Sequence, residues 1–217
     1  MENPLYDTWR ELYQDARFDY GMWMWPDGVE ERCRQLLNHH RIMHQLQQKY
    51  AWAIPSPEAI SRLAELGPMV EIGAGRGYWA ALINDAGGDV ICYDAFPPTE
   101  PGNFWAPPVG QHQHFDVEVL IEKAQFTEVQ QGGPQVAALH PHRALFLCWP
   151  VYEDLMALEC LAHYKGDTVV YVGEPKGGCT GCDAFHDQLE TEFEEVECID
   201  IPFWDGLHDA LWIFKRS

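Results

Sequence analysis

Residues 69–80, Met-Val-Glu-Ile-Gly-Ala-Gly-Arg-Gly-Tyr-Trp-Ala, narrow the folds open to this chain more than any other stretch. An apolar run leads into three alternating glycines, Gly73, Gly75 and Gly77, and an apolar-periodic segment from Tyr78 to Ala86 leads out. That pattern predicts a strand, a tight turn and the start of a helix. Glycines in such a turn let a ligand lie against bare main chain, where a Cβ would obstruct it. A second apolar strand, Asp89–Tyr93, follows and ends in Asp94. An acidic side chain about 20 residues past the glycines, at the end of the next strand, is placed to take both hydroxyls of a ribose. The two features together predict a site for an adenosine-containing ligand in an α/β fold.

The spacing narrows the ligand. A dinucleotide fingerprint, Gly-x-Gly-x-x-Gly, would need a third glycine where Tyr78 stands. Glu71 lies two residues before the first glycine. Glu-x-Gly-x-Gly-x-Gly with a distal Asp94 resembles motif I and the following acidic position of the class I S-adenosylmethionine (SAM) methyltransferases. The resemblance implies that Gly73, Gly75 and Gly77 hold the methionine end of the cofactor. Glu71 would orient its amino group or a water, and Asp94 would hold the ribose. Tyr78 and Trp149 are further candidate cofactor contacts. A polar residue after the third strand, Asp116 or Glu118, would touch the adenine. The implied fold is doubly wound, with a mostly parallel seven-stranded sheet closed by a C-terminal antiparallel hairpin and preceded by N-terminal helices. Residues 1–55 are read as a helical lid or cap, not an independent domain, and residues 56–217 as the Rossmann-like SAM-binding domain.

Composition limits the partners. The chain has 217 residues, enough for one α/β domain and little more. A formal net charge of −20, with only 14 basic residues, argues against broad contact with nucleic-acid phosphates and with anionic membranes. Seven scattered cysteines, an odd number, read as reduced thiols. The first residues lack a basic region and an apolar region, and no apolar run reaches the length of a membrane span. A cytoplasmic protein is expected.

Before the glycine turn, residues 4–50 look helical, with Leu5, Trp9, Leu12, Tyr13 and Ala16 at helical spacing. A second helix is expected over about 29–49, carrying His39, His40 and His44. Tyr50–Pro55 forms an extended aromatic approach, and Ser56 caps a helix that starts at Pro57 and ends near Leu66. That brings Tyr50 and Trp52 beside the turn. After Asp94, a proline-rich loop over 96–108 sits at the rim of the pocket. The third strand is expected around residues 112–119, and 120–142 is read as helix, Gly-Gly-Pro turn and short helix. Arg143–Cys148 is the fourth strand and Thr168–Gly173 the fifth. Helices are expected over 153–163 and 183–193, and strands over 196–202 and 210–215 form the terminal hairpin.

Chemistry is carried at the carboxyl ends of such strands. In amino-group methyltransferases, the end of the fourth strand carries Asp or Asn followed by Pro-Pro and an aromatic residue. Here Pro150 and Tyr152 are kept, but Trp149 holds the polar position. Trp149 and Tyr152 form a wall suited to a planar or apolar substrate, or to the cofactor's own base. Tyr152, Trp52 and Trp204 are the candidate substrate contacts. Candidate bases are Glu174, His208 and Asp205, with His208 the residue type suited to the task and Asp205 placed to orient it. Three metal-like spacings, His40/His44, His112/His114 and Cys179/Cys182 with His186, lack the further ligands a site needs, so no metal is expected. Cys179 and Cys182 lie in a loop that reads as flexible. The expected function is a SAM-dependent methyltransferase acting on a small molecule or a protein side chain. The alternatives are an idle SAM-binding or S-adenosylhomocysteine (SAH)-binding module and, disfavoured by Tyr78, a nicotinamide-dependent oxidoreductase.

Overall fold

The structure, a computed structural model, describes residues 2–15, 41–99 and 124–217. Its centre is a seven-stranded sheet of β1 (Pro68–Ile72), β2 (Asp89–Asp94), β3 (Val129–Gln131), β4 (Ala144–Cys148), β5 (Thr168–Gly173), β6 (Phe193–Asp200) and β7 (Ala210–Arg216). The order across the sheet is β3-β2-β1-β4-β5-β7-β6. β3, β2, β1, β4 and β5 run parallel, while β7 enters antiparallel between β5 and β6. This is the mostly parallel sheet with a terminal antiparallel hairpin expected of a class I methyltransferase fold.

Side-chain alternation builds the two layers. β5 is buried at every position, as a strand must be when neighbours flank it and helices cover both faces. Met69, Phe146, Val170, Val172, Leu211 and Ile213 enter one core cluster. Their sequence neighbours Val70, Leu145, Leu147, Val169, Tyr171 and Phe214 enter the other. The first face is covered by α1 (Pro4–Asp15), a helix α2 whose described part is 41–49, α3 (Pro57–Leu66) and α4 (Tyr78–Asp85). The second is covered by a 3₁₀ turn (Pro134–Leu139), α5 (Met156–His163) and α6 (Asp183–Glu192). At the sheet edge, β6 exposes Glu194, Glu195 and Val196 and carries a bulge between Glu195 and Glu197. Charge and a bulge on an edge discourage pairing with another chain.

The N-terminal segment shares the first core. Leu5, Ala53 and Ile54 are wholly buried in it. Tyr78 donates its hydroxyl to Asn3 Oδ1 at 2.9 Å, Asn3 Nδ2 donates to the Pro55 carbonyl, and Trp79 Nε1 donates to the Ala53 carbonyl. The expected cap is present: Ser56 Oγ accepts the Ala59 N–H at 3.1 Å, with Pro57 first in α3.

Two local expectations are corrected. The third strand among the described residues is Val129–Gln131, paired with Cys92–Asp94; the stretch around 112–119, where the sequence places it, lies outside the described residues. Only Val129 of β3 is buried, so a three-residue edge strand leaves almost no apolar pattern to read. Accordingly the described residues hold bends and β3 in place of the first helix expected over 120–142, while the short helix after the Gly-Gly-Pro turn is present as the 3₁₀ turn at Pro134–Leu139. The helix expected from 153 starts at Met156, because Glu153 has φ of 58° and cannot continue a right-handed helix. His39, His40, His112, His114, Asp116, Glu118 and most of the proline-rich loop also lie outside the described residues.

Candidate functional site

The β1–α4 turn sits at the carboxyl edge of the sheet, with Gly73, Gly75 and Gly77 at φ of 78°, 55° and 69°. All three lie in the left-handed region that favours glycine, but their surroundings differ. A Cβ on Gly73 would meet Met156 Cε at 2.9 Å, and one on Gly77 would meet Thr127 Cγ2 at 2.8 Å. A Cβ on Gly75 would meet nothing within 4 Å. Packing therefore accounts for the outer glycines, and among the described residues open space lies beside Gly75.

The end of β2 takes up the turn's donors. The Tyr93 carbonyl accepts the N–H groups of Gly73 and Ala74 at 2.9 and 3.0 Å, and Asp94 Oδ2 accepts that of Gly75 at 2.8 Å. The Gly77 N–H goes to the Ala74 carbonyl. A phosphate-cradling loop needs such donors free. This turn instead offers the open Cα surface of Gly75 beside Asp94. Asp94 Oδ1 accepts from Phe96 N, which leaves about two of the carboxylate's four lone-pair sites for a ligand.

Below the turn, alternation carries a row of ionisable side chains along one face of the sheet. Glu71 shares parity with Met69, Cys148 with Phe146, Glu174 with Val172, and Asp209 with Leu211. Glu71 is 2% exposed, and the Cys92 thiol donates to its Oε2 at 3.7 Å. Burial pushes the Glu71 carboxyl up to about 8, the Cys92 contact opposes the rise, and nearby Asp94 adds to it. The Cys148 thiol is raised well above its ordinary value by burial and by the charges of Glu71 and Asp209.

Asp209, immediately before β7, gives no strong motif in the sequence, yet it is 3% exposed at the centre of this edge. Its Oδ1 accepts the Trp149 indole N–H at 3.0 Å, and its Oδ2 is buried without a partner among the described residues. Burial pushes its carboxyl up to about 7. The Trp149 bond lowers it, Glu174 raises it, and His208 lowers it. Tyr171 and Cys179 also feel its charge. The signal in the sequence is parity alone: Asp209, Leu211 and Ile213 alternate onto the inner face.

Trp149 ends β4 with φ of 52°, an uncommon conformation for a residue with a side chain. Its indole stacks on Trp52 at 4.7 Å between ring centroids and 19° between planes. Trp52 is 37% exposed and Tyr152 46%. The two tryptophans thus form a stacked apolar wall, with Trp52 as its more exposed layer and Trp149 bonded to Asp209. Tyr50 reaches the turn as expected, packing on Tyr78 and Phe126 at 5.1 and 5.7 Å.

Other expected site residues fall elsewhere. Trp204, a candidate substrate contact, is 1% exposed and donates its indole N–H to the Trp52 carbonyl, so it props the wall from behind. Tyr78, a candidate cofactor contact, is buried with its hydroxyl engaged by Asn3 and the Leu5 N–H; it anchors the N-terminal segment. Glu174, a candidate base, accepts the Cys179 N–H at 2.6 Å and the His208 N–H at 2.9 Å. Burial pushes its carboxyl up, but donors from Cys179 and His208 outweigh that and hold it below the ordinary value. A carboxylate held ionised in this way is a poor proton acceptor and a good clamp between two loops. The exposed His208 ring lies on Phe203 and 3.5 Å from Glu174 Oε1, and Asp205 is half-buried in the same hairpin loop.

The segment 175–182, expected to be flexible, is tied down. Thr180 Oγ1 accepts the Glu174 N–H and meets the Tyr171 hydroxyl at 2.6 Å, while Gly181 exchanges main-chain bonds with Pro150 and Glu153. His186 Nε2 is taken by the Thr180 carbonyl, and the Cys179 thiol is pushed up to about 12 by burial and by Glu174. Among the described residues no cluster could hold a metal ion. Two open grooves of about 410 and 500 Å³ lie at the amino edge of the sheet and beside α6, away from the turn.

No family model matches the sequence, and no curated protein matches it. Among solved structures, the chain is similar to a magnesium protoporphyrin IX methyltransferase from Synechocystis with bound SAM, at 14% identity and TM-score 0.43, covering 97% of this chain and 90% of that one. It is similar to the 1,6-didemethyltoxoflavin-N1-methyltransferase of Burkholderia thailandensis, solved with its substrate and SAH, at 15% identity and TM-score 0.44, covering 91% and 92%. It is also similar to the 23S rRNA methyltransferase ErmE at 16% identity and TM-score 0.41, covering 75% and 69%.

Proposed function

We propose that this chain is a SAM-dependent methyltransferase acting on a small molecule or a protein side chain. The observation that carries this reading is the open space beside Gly75, next to a carboxylate with unspent lone pairs on Asp94. The residues present fit the cofactor. The bare turn receives its amino-acid portion, Asp94 takes the ribose hydroxyls, and Glu71 lies beneath the turn on the inner face of β1. Bound there, SAM supplies an activated methyl group. The protein's own task is to orient the two reactants and exclude water. The N-terminal segment, packed through Leu5 and Ile54, serves as the cap over this edge.

The spent N–H groups of Gly73, Ala74 and Gly75 weigh against a pyrophosphate ligand, and hence against a nicotinamide cofactor. No helix among the described residues is long and apolar enough to cross a membrane. The test is calorimetric titration with SAM and SAH, followed by an assay for SAH release against pools of small molecules and peptides. Binding with SAH release in one pool is the expected result. Absence of binding for both compounds sinks the proposal, and binding with no release in any pool leaves a module that only holds the cofactor.

A further inference from the structure

We propose that Asp209 is the group that receives the methyl acceptor, and that the acceptor is a planar ring bearing an N–H or O–H. The inference rests on the methyl-transfer reading above and adds to it a base and a substrate class. Three observations converge. The Asp209 carboxylate is 3% exposed, and its Oδ2 has no partner among the described residues. Leaving a buried acceptor unmet costs about 1–3 kcal/mol, and such exceptions in native proteins call for a ligand, water or catalytic role. Its Oδ1 is spent on the Trp149 indole N–H, which fixes both groups. Trp149 holds a left-handed backbone at the end of β4 and stacks on the partly exposed Trp52. Backbone strain of about 1–3 kcal/mol persists where surrounding structure enforces it, and it clusters at active sites.

Together these place an unmet acceptor oxygen on the carboxylate bonded to the stacked indole pair, on the side of the sheet where the cofactor would lie. A ring resting on the wall directs a substituent N–H or O–H at Oδ2. The departure at Trp149 from the Asp-Pro-Pro-aromatic pattern then becomes a relocation. The carboxylate arrives from the residue before β7, and the residue ending β4 becomes its hydrogen-bond donor. The step balances simply. As the acceptor nitrogen or oxygen bonds to the methyl carbon, the carbon–sulfur bond breaks with its electron pair left on sulfur. The proton displaced from the acceptor passes to Asp209 Oδ2.

The experiment uses the full chain loaded with SAH and two bicyclic probes, 6-aminoquinoline and quinoline, titrated by calorimetry. The amine should bind about tenfold more tightly than quinoline, since only it can reach Oδ2. Asp209→Asn keeps the side-chain shape while reversing one hydrogen-bonding end, and it should erase that preference while leaving quinoline and SAH affinities unchanged. Trp149→Phe should weaken both probes. Equal affinities for the two probes on the wild-type protein overturn the assignment of Asp209 without needing any variant, as does an amine preference that survives in Asp209→Asn. If SAH itself does not bind, the methyl-transfer reading fails and this proposal fails with it, an outcome distinct from SAH binding without amine preference.

Discussion

Asp94 Oδ2 accepts the Gly75 N–H at 2.8 Å, so the carboxylate proposed to grip the ribose also shapes the turn beneath it. The two roles separate by substitution. Asp94→Ala removes the ligand contacts and strands the Gly75 donor. It should weaken SAM binding by about 2–3 kcal/mol, through loss of charge-assisted hydrogen bonds. Asp94→Asn retains an acceptor for Gly75 and should lose only part of that. Calorimetry on both variants checks the order, and unchanged SAM affinity in Asp94→Ala removes this residue from the site.

Gly75 and Gly77 predict opposite phenotypes although both have positive φ. Alanine at 75 meets open space and should cost only the left-handed backbone penalty, about 1–2 kcal/mol, while occupying the surface the ligand needs. Alanine at 77 adds a clash with Thr127 and Val129 to that penalty, and it should cost more stability. Urea unfolding and SAM titration of the two variants should show binding lost first at 75 and stability lost first at 77. Wild-type SAM affinity in Gly75→Ala would refute close main-chain approach.

Glu71 should make the protein sensitive to alkali. Its folded carboxyl titrates near 8 and its unfolded one near 4.5. A raised carboxyl contributes stability fully below pH 4.5, and that contribution fades as pH rises through about 8. A tenfold change in proton affinity is worth about 1.4 kcal/mol, so the fading amounts to a few kcal/mol. Glu71→Gln has no charge to bury and should lose less stability between pH 5 and about 9 than the wild type. Parallel urea curves for the two proteins across that range would show that Glu71 is charged and satisfied in the fold.

What can be read from the sequence follows from local rules. The strand–turn–helix around Gly75 needs only a few consecutive residues to declare itself, and so does Ser56 capping α3. Asp94 can be placed because β2 follows α4 directly and pairs with β1 in register. The features that sequence reasoning misses depend on contacts distant in the chain. β3 escapes it because one buried valine suffices at an edge. Trp204 looks available in a hairpin loop, but the approach segment 152 residues earlier supplies the acceptor that buries it. Glu174 looks like a base until His208, 34 residues on, adds the donor that with Cys179 holds it ionised. Asp209 acquires its isolation only when β7 inserts between β5 and β6, an event that no local pattern in the chain announces.

The surroundings of Asp209 make its titration a test of the site in the absence of any acceptor. The groups that bear on it are Trp149 and Cys148 from β4, Tyr171 and Glu174 from β5 and its end, Cys179 from the following loop, and its neighbour His208. Burial holds its carboxyl near 7, so the proton-accepting form grows as pH rises through neutrality. Removing a nearby negative charge favours ionisation, so Glu174→Gln should move the midpoint down. Removing the indole donor disfavours ionisation, so Trp149→Phe should move it up. Carbon-13 NMR of labelled aspartate, assigned by difference against Asp209→Asn, reads both midpoints directly. Movements in opposite directions are expected. A carboxyl that titrates near 4 in all three proteins would mean that water reaches Oδ2 freely and that the acceptor has no reason to go there.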